Sequence, residues 1–226
     1  MESLIEGAAR AYGVVAIIDV LRAFTTAAVA FANGATHITM VASVEEALVL
    51  RAQNVGQACM GEVAGRPPES FDFGNSPCEL SRADLRGKAI IQRTSAGTQG
   101  IVRAAKTAQT IFAASLVTAS ATARAMRSMA SSRITLVAMG TEGSSRSSED
   151  EICALHLRNL LEGRNGNPEA ARQMILAGGE VAKFGDAKRP WFNPDDVPFA
   201  LDIDRYDFAI KVTIENGYPV ARKFKV

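Results

Sequence analysis

Residues 13–18 form an unbroken apolar run, Gly-Val-Val-Ala-Ile-Ile, that stops at Asp19. A short run with no polar alternation predicts a strand buried on both faces. An Ala-rich stretch follows over 21–33, with Gly34 placed as a helix stop. Residues 36–41 read as a second strand. Ser43-Val44-Glu45-Glu46 has the Ser-x-x-Glu spacing that opens a helix, here running to about residue 53. Residues 57–61, 89–92, 110–114 and 134–139 predict further strands, with helices over about 99–106 and 119–129 between the later ones. Ser148-Glu149-Asp150-Glu151 repeats the helix-opening spacing ahead of a helix over 152–161, and 168–177 predicts another. Residues 208–214 and 218–224 flank Asn216-Gly217, a strong signal for a tight hairpin.

Strand and helix alternate at short spacing for most of the length. That predicts a three-layer α/β/α domain spanning 1–226, with a mostly parallel central sheet and a C-terminal β-hairpin. Residues 24–44 contain no Lys, Arg, Asp or Glu and are long enough to suggest a membrane span. Asn33, Gly34 and several Thr interrupt them, so they read as a buried helix, a turn and a strand. In open α/β sheets ligands bind beyond the carboxyl ends of the strands. Asp19, Glu62, the Thr94-Ser95 pair and a loop over 140–147 all follow predicted strands, and this rule sends them to one rim. The Gly- and Pro-rich loop over 62–77 is long for a compact domain, which points to function.

Composition narrows the chemistry. Apolar residues make up 47% of the 226, enough for a sizeable core, and 25 Lys and Arg balance 24 Asp and Glu. No basic field for nucleic acid exists, so an anionic ligand must be held by a few local donors. Two histidines rule out a three-His zinc site, and three scattered cysteines imply no disulfide framework. A cytoplasmic setting is expected, since the acidic start lacks the basic region of a signal peptide. Association into homo-oligomers stays open.

Six places carry candidate chemistry, each with a plainer alternative. Asp19 is a metal ligand, a nucleophile or a helix cap. Arg22 precedes Thr25 and Thr26 on one helix face and grips an anion or pairs with an acidic neighbour. Glu62 suits a hard cation such as Mg²⁺, or is a solvated loop residue. Asn75 and Ser76 donate to a phosphate, or only shape the turn before Pro77. Arg93-Thr94-Ser95-Ala96-Gly97-Thr98 joins a strand to a helix, where hydroxyls and N–H groups favour a phosphate, or cap the helix. It has no Gly-x4-Gly-Lys pattern, so nucleotide binding is not supported. Glu149 and Asp150 open a helix, where acidic residues are electrostatically normal.

Taken in order, these segments resemble the 2-phosphosulfolactate phosphatase family. The matching pieces are Ile18-Asp19-Val20-Leu21-Arg22-Ala23, Asn33-Gly34-Ala35, Gly61-Glu62 and Phe71-Asp72-Phe73-Gly74-Asn75-Ser76-Pro77. Arg93-Thr94-Ser95-Ala96-Gly97-Thr98 and the Gly140 loop ending in Glu149-Asp150 complete them. The resemblance implies an Mg²⁺-dependent phosphatase, a phosphoric monoester hydrolase acting on phosphosulfolactate during coenzyme M synthesis, with a small anionic phosphorylated substrate. It makes Asp19, Glu62 and Asp150 the metal-site and catalytic candidates, with Arg22 beside them, and Asn75, Ser76, Arg93, Thr94, Ser95, Gly97 and Thr98 the substrate-site candidates. Ala96 departs from the family pattern, which carries Asn there. The second Asp of the aspartate-nucleophile phosphatases is also missing, since Leu21 holds its place, and this favours direct attack by water. Two rival readings remain: a non-catalytic binding protein for an anionic metabolite, and a phosphoryl-transfer or isomerase activity on a phosphorylated acid.

Overall fold

The computed structural model describes residues 1–225. Nine strands build one sheet: β1 (Glu2–Ser3), β2 (Gly13–Ile18), β3 (His37–Val41), β4 (Ala58–Gly61), β5 (Ala89–Arg93), β6 (Ala108–Ala114), β7 (Ile134–Ala138), β8 (Ala209–Glu215) and β9 (Tyr218–Phe224). The helices are α1 (Leu4–Arg10), α2 (Ala23–Ala32), α3 (Val44–Ala52), α4 (Pro77–Ser81), α5 (Gly97–Ala104), α6 (Ala119–Arg127), α7 (Ser148–Leu161), α8 (Pro168–Leu176) and α9 (Asp196–Ala200). The α/β class, the expected strands and the hairpin are all present. The short β1–α1 unit at the start and α9 carry no strong sequence signal.

The apolar run of β2 is buried at every position. Val15 and Ile17 enter a core shared with α1, α2 and α5, while Val14, Ala16 and Ile18 enter a second core with α6 and α7. Two cores on opposite faces of one strand are what an unalternated apolar run requires. Helix α2 is buried from Ala23 to Phe31, which explains the uncharged stretch. Among the described residues no helix is long and apolar enough to cross a membrane. The Ser43 signal holds: Ser43 Oγ accepts the Glu46 N–H at 3.1 Å, and Glu46 Oε2 accepts the Ala42 N–H at 2.9 Å. The Ser148 signal does not cap as expected. Helix α7 starts at Ser148 itself, its N-cap residue Ser147 makes no side-chain cap bond, and Asp150 in its first turn bonds partners outside the helix.

The strand order is β1-β7-β2-β6-β8-β9-β3-β5-β4. The C-terminal hairpin therefore lies inside the sheet, with β8 antiparallel to β6 and β9 antiparallel to β3. The blocks on either side of it are parallel within themselves but reversed relative to each other. A flat sheet would send the carboxyl ends of β2 and β5 to opposite rims. Twist offsets this: five strand steps of roughly 20–25° each turn β5 by roughly 100–125° relative to β2. The ends of β2, β4 and β5 then meet around one cavity.

A central hairpin makes a quantitative difference along a single strand. Ile210→Ala, at a fully buried position of β8, should lower the unfolding free energy by about 2–5 kcal/mol in urea. Ile214→Ala, 53% exposed in the same strand, should cost less than about 0.5 kcal/mol. Equal small effects would mean that the hairpin is a peripheral flap.

Candidate active site

A cavity of about 190 Å³ opens where these ends converge. Asp19, Glu62, Glu149 and Asn75 contribute acceptor oxygens to its wall, and Arg22, Lys183, Arg189 and Trp191 contribute donors. Ser95, Ala96 and the Gly140–Glu142 turn complete the part nearest the sheet.

Asp19 leaves β2 as a buried carboxylate and accepts the Ala23 N–H on Oδ1 at 2.9 Å. The Gly97 amide lies against the same carboxyl group. Burial pushes the Asp19 carboxyl up to about 7 against the pull of the Ala23 N–H, and the charges of Glu62 and Glu149 add to the rise. Burial likewise raises Glu149, which is 3% exposed and whose Oε2 has no hydrogen-bond partner. Asn75 Oδ1 is buried and unpartnered too. Buried acceptors without donors are costly unless a ligand completes them.

Two of the expected carboxylates are held differently. Glu62 lines the cavity, but Oε1 accepts the Ser95 N–H at 2.5 Å, and Oε2 accepts the Gly65 N–H at 2.6 Å and the Ser95 hydroxyl at 3.0 Å. It staples two loops together. Asp150 does not line the cavity. Its Oδ1 accepts the Val20 N–H and its Oδ2 the Gly140 N–H, both at 2.8 Å, which ties the ends of β2 and β7 to the start of α7. Asp150, expected as a metal ligand, is thus turned to backbone N–H groups behind the lining, and its neighbour Glu149, about 100° round the helix, faces the cavity.

The substrate-site candidates also divide. Asn75 and Ser95 line the cavity, whereas Ser76, Arg93, Thr94, Gly97 and Thr98 do not. Thr94 and Thr98 are fully buried and bond each other, with Thr98 N–H donating to Thr94 Oγ1 at 3.0 Å and Thr94 N–H to Thr98 Oγ1 at 2.8 Å. Arg93 braces the loop through the Glu62 carbonyl at 2.7 Å and the Ala42 carbonyl at 3.2 Å. Ser76 caps α4 by accepting the Glu79 N–H and donates to Asp196 at 2.6 Å. Gly97 is needed for closeness: a Cβ there would stand 2.9 Å from Asp19 Oδ2 and 2.8 Å from Ala23 Cβ. These five shape the site instead of contacting its occupant.

Arg22 lines the cavity and is 3% exposed. Its Nη1 donates to Asp196 Oδ2 and to the Trp191 carbonyl, each at 2.7 Å, and its guanidinium lies 4.9 Å from the Phe192 ring centre. Lys183 pairs with Glu180, and Arg189 pairs with Asp186 at 2.9 Å. The buried Trp191 Nε1 has no partner. Sequence reasoning missed Glu149, Lys183, Arg189, Trp191 and Phe192 as cavity residues, and Asp196 as the partner of Arg22 behind them. The single Trp of the chain, set in a Pro-containing loop outside regular structure, was the available signal.

Among the described residues no group of three or more His, Cys, Asp or Glu stands at metal-ligating spacing. An all-oxygen site with few protein ligands still fits Mg²⁺, which usually takes one or two carboxylates and completes its shell with water and substrate oxygens. Asp19 and the unpartnered Glu149 Oε2 are the donors of that kind here.

The family model described as 2-phosphosulpholactate phosphatase matches residues 2–183. The chain belongs to that family. The family is one of phosphoric monoester hydrolases. A probable 2-phosphosulfolactate phosphatase of Bacillus subtilis strain 168 is 29% identical over 210 residues, covering 92% of this chain and 90% of that protein. One of Gloeobacter violaceus is 37% identical over 161 residues, 70% of this chain and 67% of the relative. One of Thermus thermophilus is 38% identical over 130 residues, 58% and 54% of the two chains, so the match spans about half of that relative's length. Arg189, Trp191, Phe192 and Asp196 lie beyond the stretch matched by the family model.

The geometry makes two predictions. Gly97→Ala should drive a methyl group against Asp19 and Ala23, with a loss of about 1–3 kcal/mol in denaturant unfolding. The second concerns pH in metal-free protein. Folded Asp19 keeps its proton up to about pH 7, whereas its ordinary value is 3.8. The folded form therefore binds more protons between those values, and this group's contribution to stability, complete below 3.8, is lost as pH rises through about 7. Asp19→Asn should raise the unfolding free energy in urea at pH 8 by on the order of 2 kcal/mol relative to the unsubstituted chain, with the gap narrowing by pH 5. A gap independent of pH would place an ionised Asp19 in the metal-free fold.

Proposed function

We propose that the chain is a Mg²⁺-dependent phosphatase that hydrolyses the phosphate ester of a small acidic metabolite, 2-phosphosulfolactate or a related phosphorylated hydroxy acid. The observation that carries this reading is one cavity lined both by buried acceptors without donors, Glu149 Oε2 and Asn75 Oδ1, beside the buried carboxylate of Asp19, and by the cationic side chains of Arg22, Lys183 and Arg189. A dianionic ester bound to a divalent cation has the charge pattern that such a cavity complements.

In this reading Asp19 and Glu149 would hold Mg²⁺, and Asn75 Oδ1, buried without a donor, would accept a hydrogen bond from the cavity. When bound, the ion neutralises the crowded carboxylates and polarises a phosphoryl oxygen. Arg22 donates to the phosphoryl oxygens as charge gathers on them in the transition state. Lys183, Arg189 and Trp191 Nε1 meet the acid group of the metabolite. Glu62 keeps the Ser95 and Gly65 amides in place, so the rim does not rearrange as the ester binds. The oxygen of a water molecule forms the new bond to phosphorus while the ester P–O bond breaks. Inorganic phosphate and the free hydroxy acid leave.

The reading of the chain as a non-catalytic binding protein is favoured by one observation: Ala96 lines the cavity where the family pattern carries an amide. Phosphate release separates the two. With phosphorylated two- to four-carbon acids, release should require Mg²⁺ and stop on chelation. Asp19→Asn should lower turnover by about 10²-fold or more, and Glu149→Gln should raise the Mg²⁺ needed for half-maximal rate. Asp150→Asn should act mainly on thermal stability. Full turnover in Asp19→Asn, or release indifferent to Mg²⁺, would sink the proposal.

A further inference from the structure

The fully buried carboxylate of Asp196 has no place in the chemistry so far, yet two residues of the site converge on it. Its Oδ2 accepts Arg22 Nη1 at 2.7 Å, and its Oδ1 accepts the Ser76 hydroxyl at 2.6 Å and the Cys78 N–H at 3.0 Å. Arg22 comes from the turn before α2, Ser76 and Cys78 from the start of α4, and Asp196 from α9. The Trp191 carbonyl takes Arg22 Nη1 at 2.7 Å, and the rings of Phe192 and Phe184 lie 4.9 and 5.6 Å from the guanidinium carbon. Every one of these partners of Arg22 lies in residues 184–196, beyond the 2–183 stretch of the family model but within the 210-residue match to the Bacillus subtilis relative.

A buried ion pair is a weak source of stability, because desolvating both charges offsets their attraction. What this one supplies is direction. With Nη1 held by two acceptors and the planar group set against two rings, the guanidinium keeps one orientation towards the cavity that it lines. We propose that Asp196 is the positioning residue for Arg22, so that the C-terminal segment, and not only the family core, completes the phosphoryl-binding site. The inference rests on the proposed function, in which Arg22 contacts the phosphoryl group. Asp196 touches no substrate and acts through Arg22. Its charge also balances that of Arg22, which leaves Arg22 as a directed donor in place of a free cation.

The test is a double-mutant cycle on the full chain with Mg²⁺ present, using Asp196→Asn, Arg22→Met and the pair together. Turnover of a phosphorylated hydroxy acid, affinity for inorganic phosphate by calorimetry and melting temperature are read for each. Asp196→Asn should lower kcat by about 10²-fold with KM changed far less. The pair should lose no more than Arg22→Met alone, because both changes remove one aimed group. Arg22→Lys, which keeps the charge and loses the planar fork, should lose activity while the chain still melts near the unsubstituted temperature. If Asp196→Asn does not fold, Asp196→Glu, which keeps the charge and displaces the acceptor of Nη1, decides the matter by the same fall in kcat. Losses that multiply, an Asp196→Asn variant that melts early but turns over normally, or an active Arg22→Lys variant would overturn the inference. A chain that releases no phosphate even unsubstituted would defeat the proposed function instead. The same non-additivity, read in phosphate affinity, would then decide the role of Asp196.

Discussion

Four carboxylates are buried in one corner of this protein, and the cost of taking them out of water, increased by their charges on one another, governs what surrounds it. Asp19, Glu62, Glu149 and Asp150 are each 6% exposed or less. Like charges held out of water either take up protons or gather donors and cations. Here both responses are visible. Glu62 and Asp150 are met by backbone N–H groups, which also tie the loop after β2 to the loop after β7 and the loop after β4 to the loop after β5. Burial raises Asp19, Glu149 and Asp150 alike towards the protonated form, and of these three only Asp19 and Glu149 line the cavity. A divalent cation would offset the same cost without protonation, which makes the two cavity-facing carboxylates the natural seat for one.

The rest of the architecture serves that corner. Antiparallel strands inserted into a parallel sheet reverse the second block, and strand twist undoes enough of the reversal for its loops to reach the first block's rim. The hairpin is therefore not an appendage. It sets the angle between two halves that each bring part of the site, Asp19 and Glu149 from one, Glu62 and Ser95 from the other. The segment before the hairpin then completes the lining with two aromatic rings, two cations and Glu180. Most of the acidic side chains come from the sheet rim and two of the three cations from this segment.

Motif positions turn out to be of two kinds. Asn33 donates to the Leu80 and Ala83 carbonyls at 2.6 and 3.2 Å and locks α2 to the region of α4. Thr94 and Thr98 close their own turn, and Gly97 clears space for Asp19. These positions are as necessary as cavity residues, yet they meet no ligand. In a sequence the two kinds look alike, because a hydroxyl that caps a turn and one that binds phosphate occupy the same strand-to-helix junction.

The sequence by itself determined the class of fold, the strands and helices that carry it, and the segments that meet at the rim. Local rules suffice there: apolar runs, a capping Ser, an Asn-Gly turn and carboxylates placed after strands. It also determined Asp19, since a charge ending a doubly buried strand has few places to go. Only the tertiary structure decided that the hairpin lies in the middle of the sheet, that Glu149 faces the cavity in place of Asp150, and that Arg22 is held by Asp196 from 174 residues away. Each of these depends on the rotation of one element against another, by a helical phase or by an accumulated sheet twist. Such rotations are fixed by packing across the whole domain, and no short window of sequence contains them.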